Sequence, residues 1–163
     1  MTTGTVRSQG TELFFIDTVN QTDPAIVKVL CPTGITGLGG PRDQIDDTCL
    51  DNIGDKTFQA GLGNPGQVSV PFNLIPRDVS HQNLFVLKED GSVLKFVVCL
   101  SESATDPTLD MDDAFVLPTD RTTIEFDAFV SDVNIDVATN DIVKGTLTLQ
   151  RSGSVTFTGY VPA

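Results

Sequence analysis

The sequence predicts a mostly β protein: an antiparallel β-sandwich or barrel with one short flanking α-helix and a long inserted loop. Three observations carry this. Residues 121–158 alternate apolar and polar side chains over long runs, the period of 2 that marks a strand with one buried face. Only one stretch, residues 78–90, joins a helix-start residue to an apolar spacing of three and a glycine stop. Eight of the fourteen glycines and three of the nine prolines fall between Pro32 and Gln67, which marks a long irregular insertion at 32–67. At 163 residues the chain fits a single domain, 1–163, with room for a sizeable core.

The elements follow in order. Residues 1–10, MTTGTVRSQG, are small and polar and predict an N-terminal arm with a fraying end. Thr11–Asp17 reads as a first strand and Ala25–Cys31 as a second, with a turn at Asn20–Pro24 because Asp-Pro disfavours helix. Within 32–67, Ile35, Leu38, Ile45, Leu50, Ile53, Phe58 and Leu62 argue against free disorder. They need a surface to pack on, and a neighbouring subunit would supply one. Val68, Val70, Phe72 and Leu74 alternate cleanly in the next strand. Pro71 has no N–H to donate, so that strand lies at an edge or turns the missing donor outward.

Asp78 or Ser80 is the helix N-cap, Leu84 and Leu87 the buried stripe, Lys88 a last-turn cation and Gly91 the terminator. So short a helix survives only by packing on the sheet. Ser92–Leu100 is a strand with Leu94, Phe96, Val98 and Leu100 on one parity. Ser101–Asp120 holds six acidic residues and no Lys or Arg, an acidic connection with a short strand at Ala114–Leu117. In the last stretch the apolar parity shifts from even (Ile124, Phe126) to odd (Val133, Ile135), which predicts a bulge near Ala128–Val130. Leu147 and Leu149, then Val155 and Phe157, flank Ser152-Gly153 and read as a hairpin.

Ten basic residues against 22 acidic ones give a net charge of −12 and a pI near 4.1. Such a surface repels nucleic acid rather than gripping it. Ten Phe, one Tyr and no Trp suit core packing better than stacking on bases or sugars. Cys31, Cys49 and Cys99 are odd in number and lack C-x-x-C spacing, which points to reduced thiols rather than disulfides or zinc. No apolar N-terminal segment or membrane-length run is present, so neither a signal peptide nor a membrane partner is expected.

Chemistry-bearing patterns are weak. Gly34, Gly37, Gly39 and Gly40 follow a strand, but their spacing is not G-x-G-x-x-G, Pro41-Arg42 follows at once, and no P-loop Lys is present. Asp110, Asp112 and Asp113 lack the spacing, central Gly and closing Glu of an EF-hand. His81 is the sole histidine, and no nucleophile elbow or zinc-protease motif accompanies it. No catalytic residue, cofactor site or metal site is expected.

The ordered set Ser8-Gln-Gly-Thr, Gly34-Ile-Thr-Gly-Leu-Gly-Gly-Pro-Arg-Asp, Ile45-Asp-Asp-Thr-Cys-Leu, Gly61-Leu-Gly-Asn-Pro-Gly, Val70-Pro-Phe-Asn-Leu, the short helix, Ile124-Glu-Phe-Asp-Ala-Phe-Val and Gln150-Arg-Ser-Gly-Ser-Val resembles the major tail tube protein of long-tailed, non-contractile bacteriophages. The resemblance spans nearly the whole chain. It implies a non-enzymatic subunit of the virion tail, assembled in the host bacterial cytoplasm into stacked, hexameric rings. It also implies a bore that passes DNA without binding it, a tape measure protein inside that bore, and tail tip and terminator proteins at the ends. An acidic chain suits such a bore. The acidic side of the alternating stretch nominates Glu125, Asp127, Asp132 and Asp136 as lumen-facing. The insertion nominates Ile35, Leu38, Arg42, Ile45, Leu50 and Ile53 as ring-to-ring contacts, with the N-terminal arm as a second contact. Alternatives are a tail terminator, a contractile-type inner tube, and a β-sandwich carbohydrate-binding or adhesion module, the last disfavoured by the missing Trp.

Overall fold

The long alternating stretch becomes the centre of a six-stranded antiparallel sheet. The computed structural model describes residues 4–160. Its strands are β1 (Glu12–Asp17), β2 (Ala25–Lys28), β3 (Arg42–Asp46), β4 (Phe58–Gly63), β5 (Gln67–Asn73), β6 (Leu94–Cys99), β7 (Thr108–Leu109), β8 (Phe115–Val116), β9 (Thr123–Asp136) and β10 (Lys144–Thr158), with one helix, α1 (Val79–Asp90), between β5 and β6. The main sheet runs β2-β1-β6-β9-β10-β5, and β3-β4 and β7-β8 are separate two-stranded ribbons.

The sheet curls until its two edges nearly meet. After β2, the chain at Cys31–Thr36 lies along β5, where Thr33 N donates to Pro71 O (2.8 Å) and Thr36 and Ser69 exchange backbone hydrogen bonds (3.0 and 2.9 Å). Pro71 therefore turns its donor-less nitrogen towards this strap and away from β10, the arrangement that spares the central ladder. Close approach fixes glycine here. Gly37 sits at φ +89°, and a Cβ on it would lie 2.0 Å from the Gln67 carbonyl oxygen. At Gly37 the glycine is thus a backbone-packing device.

The helix carries the chain from the β5 edge back to β6, passing β10 and β9. Asp78 is its N-cap, in extended conformation, and accepts from Ser80 N (2.9 Å) and His81 N (3.3 Å). Burial pushes the Asp78 carboxyl up, but the Ser80 hydroxyl and the His81 and Ser80 amides outweigh it and hold the pKa below the usual value. Gly91 closes the helix at φ +72° with its N–H on Leu87 O. Leu84 and Leu87 enter a core shared with Leu13, Phe15, Phe96, Phe126, Leu147 and Leu149. Phe96 and Phe126, cross-strand partners, stack with centroids 5.7 Å apart.

The expected parity shift is present, one residue late. Val130 pairs with Leu149 and Asp132 with Thr148, so Ser131 is the extra residue, and its hydroxyl donates to Thr148 O (3.1 Å). The expected hairpin at Ser152-Gly153 is absent. β10 runs unbroken through it, and Gly153, at φ +85°, sits in a second irregularity between Ser152 and Thr156. The turn chemistry was real, but it serves a bulge opposite Phe126; the hairpin turn joins β9 to β10 at residues 137–143 instead. The insertion at 32–67 is also more regular than expected, since it holds the strap and the β3-β4 ribbon. The N-terminal arm is tied down over residues 7–10, through Ser101 Oγ on Arg7 O and Arg121 on Gly10 O; its first three residues lie outside the described ones.

Candidate assembly surfaces

The β3-β4 ribbon projects apolar side chains into solvent. Its strands pair through Gln44–Asp46 and Phe58–Ala60. The connecting segment is ordered by its own polar groups: Asp47 N donates to Thr57 O (3.1 Å), Gly54 N to Asn52 Oδ1 (2.9 Å) and Asn52 Nδ2 to Asp55 O (3.1 Å). Yet Leu50 and Ile53 are fully exposed, and Ile45, Phe58 and Leu62 are more than half exposed. Isolated exposed leucines are ordinary, but a run of them on one ordered ribbon makes it a candidate interaction surface. Two of the six contact candidates sit elsewhere. Ile35 and Leu38 are half-buried against the subunit's own core, because the strap they belong to closes the sheet edge. Arg42 is exposed at the start of β3.

The four acidic candidates fall on one face of β9. Glu125 and Asp127 stand opposite Val97 and Lys95 of β6, and Asp132 and Asp136 opposite Thr148 and Lys144 of β10. The Ser131 bulge makes this possible, since it moves the acidic positions from odd to even without changing sides. Cations temper the row: Lys88 of α1 lies 3.5 Å from Asp132. Lys144 spends its ammonium on Asp141 (3.0 Å).

One structural centre was not legible in the sequence. Arg121 is completely buried, and all five of its N–H groups find acceptors: Leu100 O (2.7 Å), Glu12 Oε2 (3.0 Å), Thr105 O (3.1 Å), Cys99 O (2.9 Å) and Gly10 O (3.4 Å). Burial raises the Glu12 pKa, but hydrogen bonds from Lys28 and Arg121 prevail and hold it below the usual value. Beside this knot a cavity of about 420 Å³ opens between the N-terminal arm and the strap, lined by Val6, Gly10, Pro32, Ile35, Leu38 and Leu100 among others.

The weak chemical motifs resolve structurally. His81 is buried against the Phe72 ring (4.8 Å), accepting from Ile75 N (3.0 Å) and donating to Leu30 O (2.8 Å), so both ring nitrogens are occupied by the fold. Cys31 and Cys49 are exposed thiols; Cys99 is buried, which pushes its pKa up to about 11. Among the described residues no three His, Cys, Asp or Glu side chains converge as metal ligands, and no helix is long and apolar enough to cross a membrane.

Comparison with known proteins adds three results. The family described as "Phage tail tube, TTP, lambda-like" matches residues 4–160. Structural protein 3 of Pseudomonas phage PAJU2 is 31% identical over 152 residues, covering 91% of this chain and 90% of that one. Among solved structures, the SPP1 tail tube superposes with a TM-score of 0.64 at 13% identity (97% of this chain, 81% of that one). The tail of an empty gene transfer agent particle, refined with C6 symmetry, gives 0.66 at 12% (94% and 98%). The tube of a PVC extracellular contractile injection system in its sheath-tube complex gives 0.64 at 14% (96% and 93%).

Proposed function

Because the chain belongs to the lambda-like phage tail tube family, and is thus a structural component of the virion tail, we propose that it assembles into stacked, six-membered rings whose bore conducts DNA during ejection. The observation that carries this reading is the β3-β4 ribbon, with Leu50 and Ile53 fully exposed on an ordered support. A lone subunit gains nothing from presenting that surface to water, whereas a copy above or beside it buries it at about 1.5–3 kcal/mol per large side chain.

In this reading Ile45, Leu50 and Ile53 reach the adjacent ring, with Arg42 at the ribbon's base. The β9 face carrying Glu125, Asp127, Asp132 and Asp136 lines the bore. A wall of like charge keeps phosphate from adhering, and the chain's 22 acids against 10 bases supply that field. The same bore holds a tape measure protein before ejection, and terminator and tip proteins cap the stack. Likeness to the PVC contractile tube supports a second reading, the inner tube of a contractile machine, which shares ring and bore but requires a sheath-binding exterior.

Electron microscopy of the concentrated, purified chain tests this. Rings or tubes are expected, and a reconstruction should put the acidic β9 face inward. A chain that stays monomeric, or a tube with that face outward, overturns the assembly or the bore assignment respectively.

A further inference from the structure

Although acids outnumber bases two to one, two arginines line one recess that no carboxylate lines. The recess, about 470 Å³, lies between Leu38–Gly40, Gly63–Pro65 and β10 at Arg151–Val155, with Arg42 at its rim. Arg151 is buried; its terminal nitrogens donate to Leu38 O (3.4 Å) and Gly39 O, and its Nε is buried with no partner. Arg42 donates only to Gly61 O (3.3 Å). Neither forms an ion pair among the described residues. A buried guanidinium with carbonyls alone for company carries an uncompensated charge and an unmet donor. Glycines keep the floor bare: a Cβ on Gly40 would lie 2.8 Å from Arg151 Nη2.

We propose that this recess receives a carboxylate from a second copy of the chain, supplied by the Asp112-Asp113 turn between β7 and β8. The inference rests on the tube reading and names one of its contacts. Carboxylates match the planar donor fork of arginine. Asp110 shapes the donor turn by accepting from Asp112 N (2.9 Å) and Ala114 N (3.0 Å). Asp112 and Asp113 are left exposed, with no ion pair, beside fully exposed Met111. The turn sits over β1 and β6, where Phe115 packs with Phe14 and Val97, and the recess lies beside β10. A contact between two different surfaces is head-to-tail, the kind that closes rings and stacks them.

The test compares wild type, Arg42→Glu, Arg42→Gln and the reversal Arg42→Glu/Asp112→Arg/Asp113→Arg by pelleting and negative-stain imaging, with melting temperatures as the folding control. Arg42→Glu should cut assembled protein about tenfold or more at fixed concentration, Arg42→Gln should cut it less, and the triple reversal should regain much of the loss. Should Arg42→Glu lower the melting temperature, Arg42→Gln carries the comparison. Assembly by Arg42→Glu equal to wild type, or loss that the reversal does not repair, overturns the inference while the tube reading stands. DNA binding by wild type that Arg42→Glu abolishes overturns it in favour of a phosphate occupant. A wild-type chain that never assembles overturns the tube reading and this contact with it.

Discussion

Arg121 shows how one side chain can fasten segments that the chain order keeps apart. Its acceptors come from residues 10, 12, 99, 100 and 105, so a single guanidinium fixes the N-terminal arm, the β1–β6 pair and the acidic connection against one another. Removing it leaves several buried carbonyls without donors. Arg121→Met should cost about 3–5 kcal/mol, read as a lower urea midpoint or loss of folded protein. Arg121→Lys should recover little, because an ammonium offers three donors and no fork. The same knot sets a pH dependence. Glu12 has a folded pKa below its ordinary one, so its contribution is present above the carboxylate range and lost as pH falls through that depressed value. Wild type should therefore lose more stability than Arg121→Met between neutral and acid pH. An equal loss in both would show that the Glu12–Arg121 pair carries no linkage. Nothing in the sequence singles out Arg121, because four of its five acceptors are backbone carbonyls and the fifth, the Glu12 carboxylate, is far away along the chain, which leaves no residue pattern.

At the scale of elements, what was legible is what repeats at short range. Alternation placed β5, β6 and β9, and the Asp78 and Gly91 caps placed α1, because those signals are local. What failed was the reading of irregularities. A parity change reveals that an extra residue exists without fixing which one it is, and the bulge fell on Ser131. A Ser-Gly pair signals a positive φ at Gly153, but a bulge needs that conformation as much as a hairpin does. The Ser131 bulge has a checkable consequence. Deleting Ser131 should leave Val130 opposite Leu149, Asp132 opposite Thr148 and Val133 opposite Leu147 with no extra residue between them, so every later side chain keeps its face. We expect a loss of about 1 kcal/mol or less, with amide protection at β9–β10 beyond residue 131 retained in hydrogen exchange. Ser131→Ala, which keeps the extra residue and removes only one hydroxyl bond, should cost about 1 kcal/mol or less. If the deletion instead strips that protection or costs several times as much as the alanine, Ser131 is not the extra residue.

For the molecule as a whole, the question is what the β3-β4 ribbon is for. Core, helix and strap complete one another within the subunit, and none depends on Leu50 or Ile53, which are fully exposed. Stability and assembly should therefore separate cleanly there. Leu50→Asp or Ile53→Asp should leave the melting temperature within about half a kilocalorie's equivalent of wild type, as for other surface changes. In the tube each removes about 1.5–3 kcal/mol of burial from every copy of the contact, which corresponds to a roughly ten- to hundredfold rise in the concentration needed for growth. Sedimentation across a concentration series reads both quantities. Ile35→Asp is the counter-test, because Ile35 packs on its own core and should lower melting first. Should the Leu50 and Ile53 variants grow tubes at wild-type concentrations, the ribbon tip faces solvent in the assembly as well. The stacking surface would then have to be sought at the N-terminal arm and the cavity it covers.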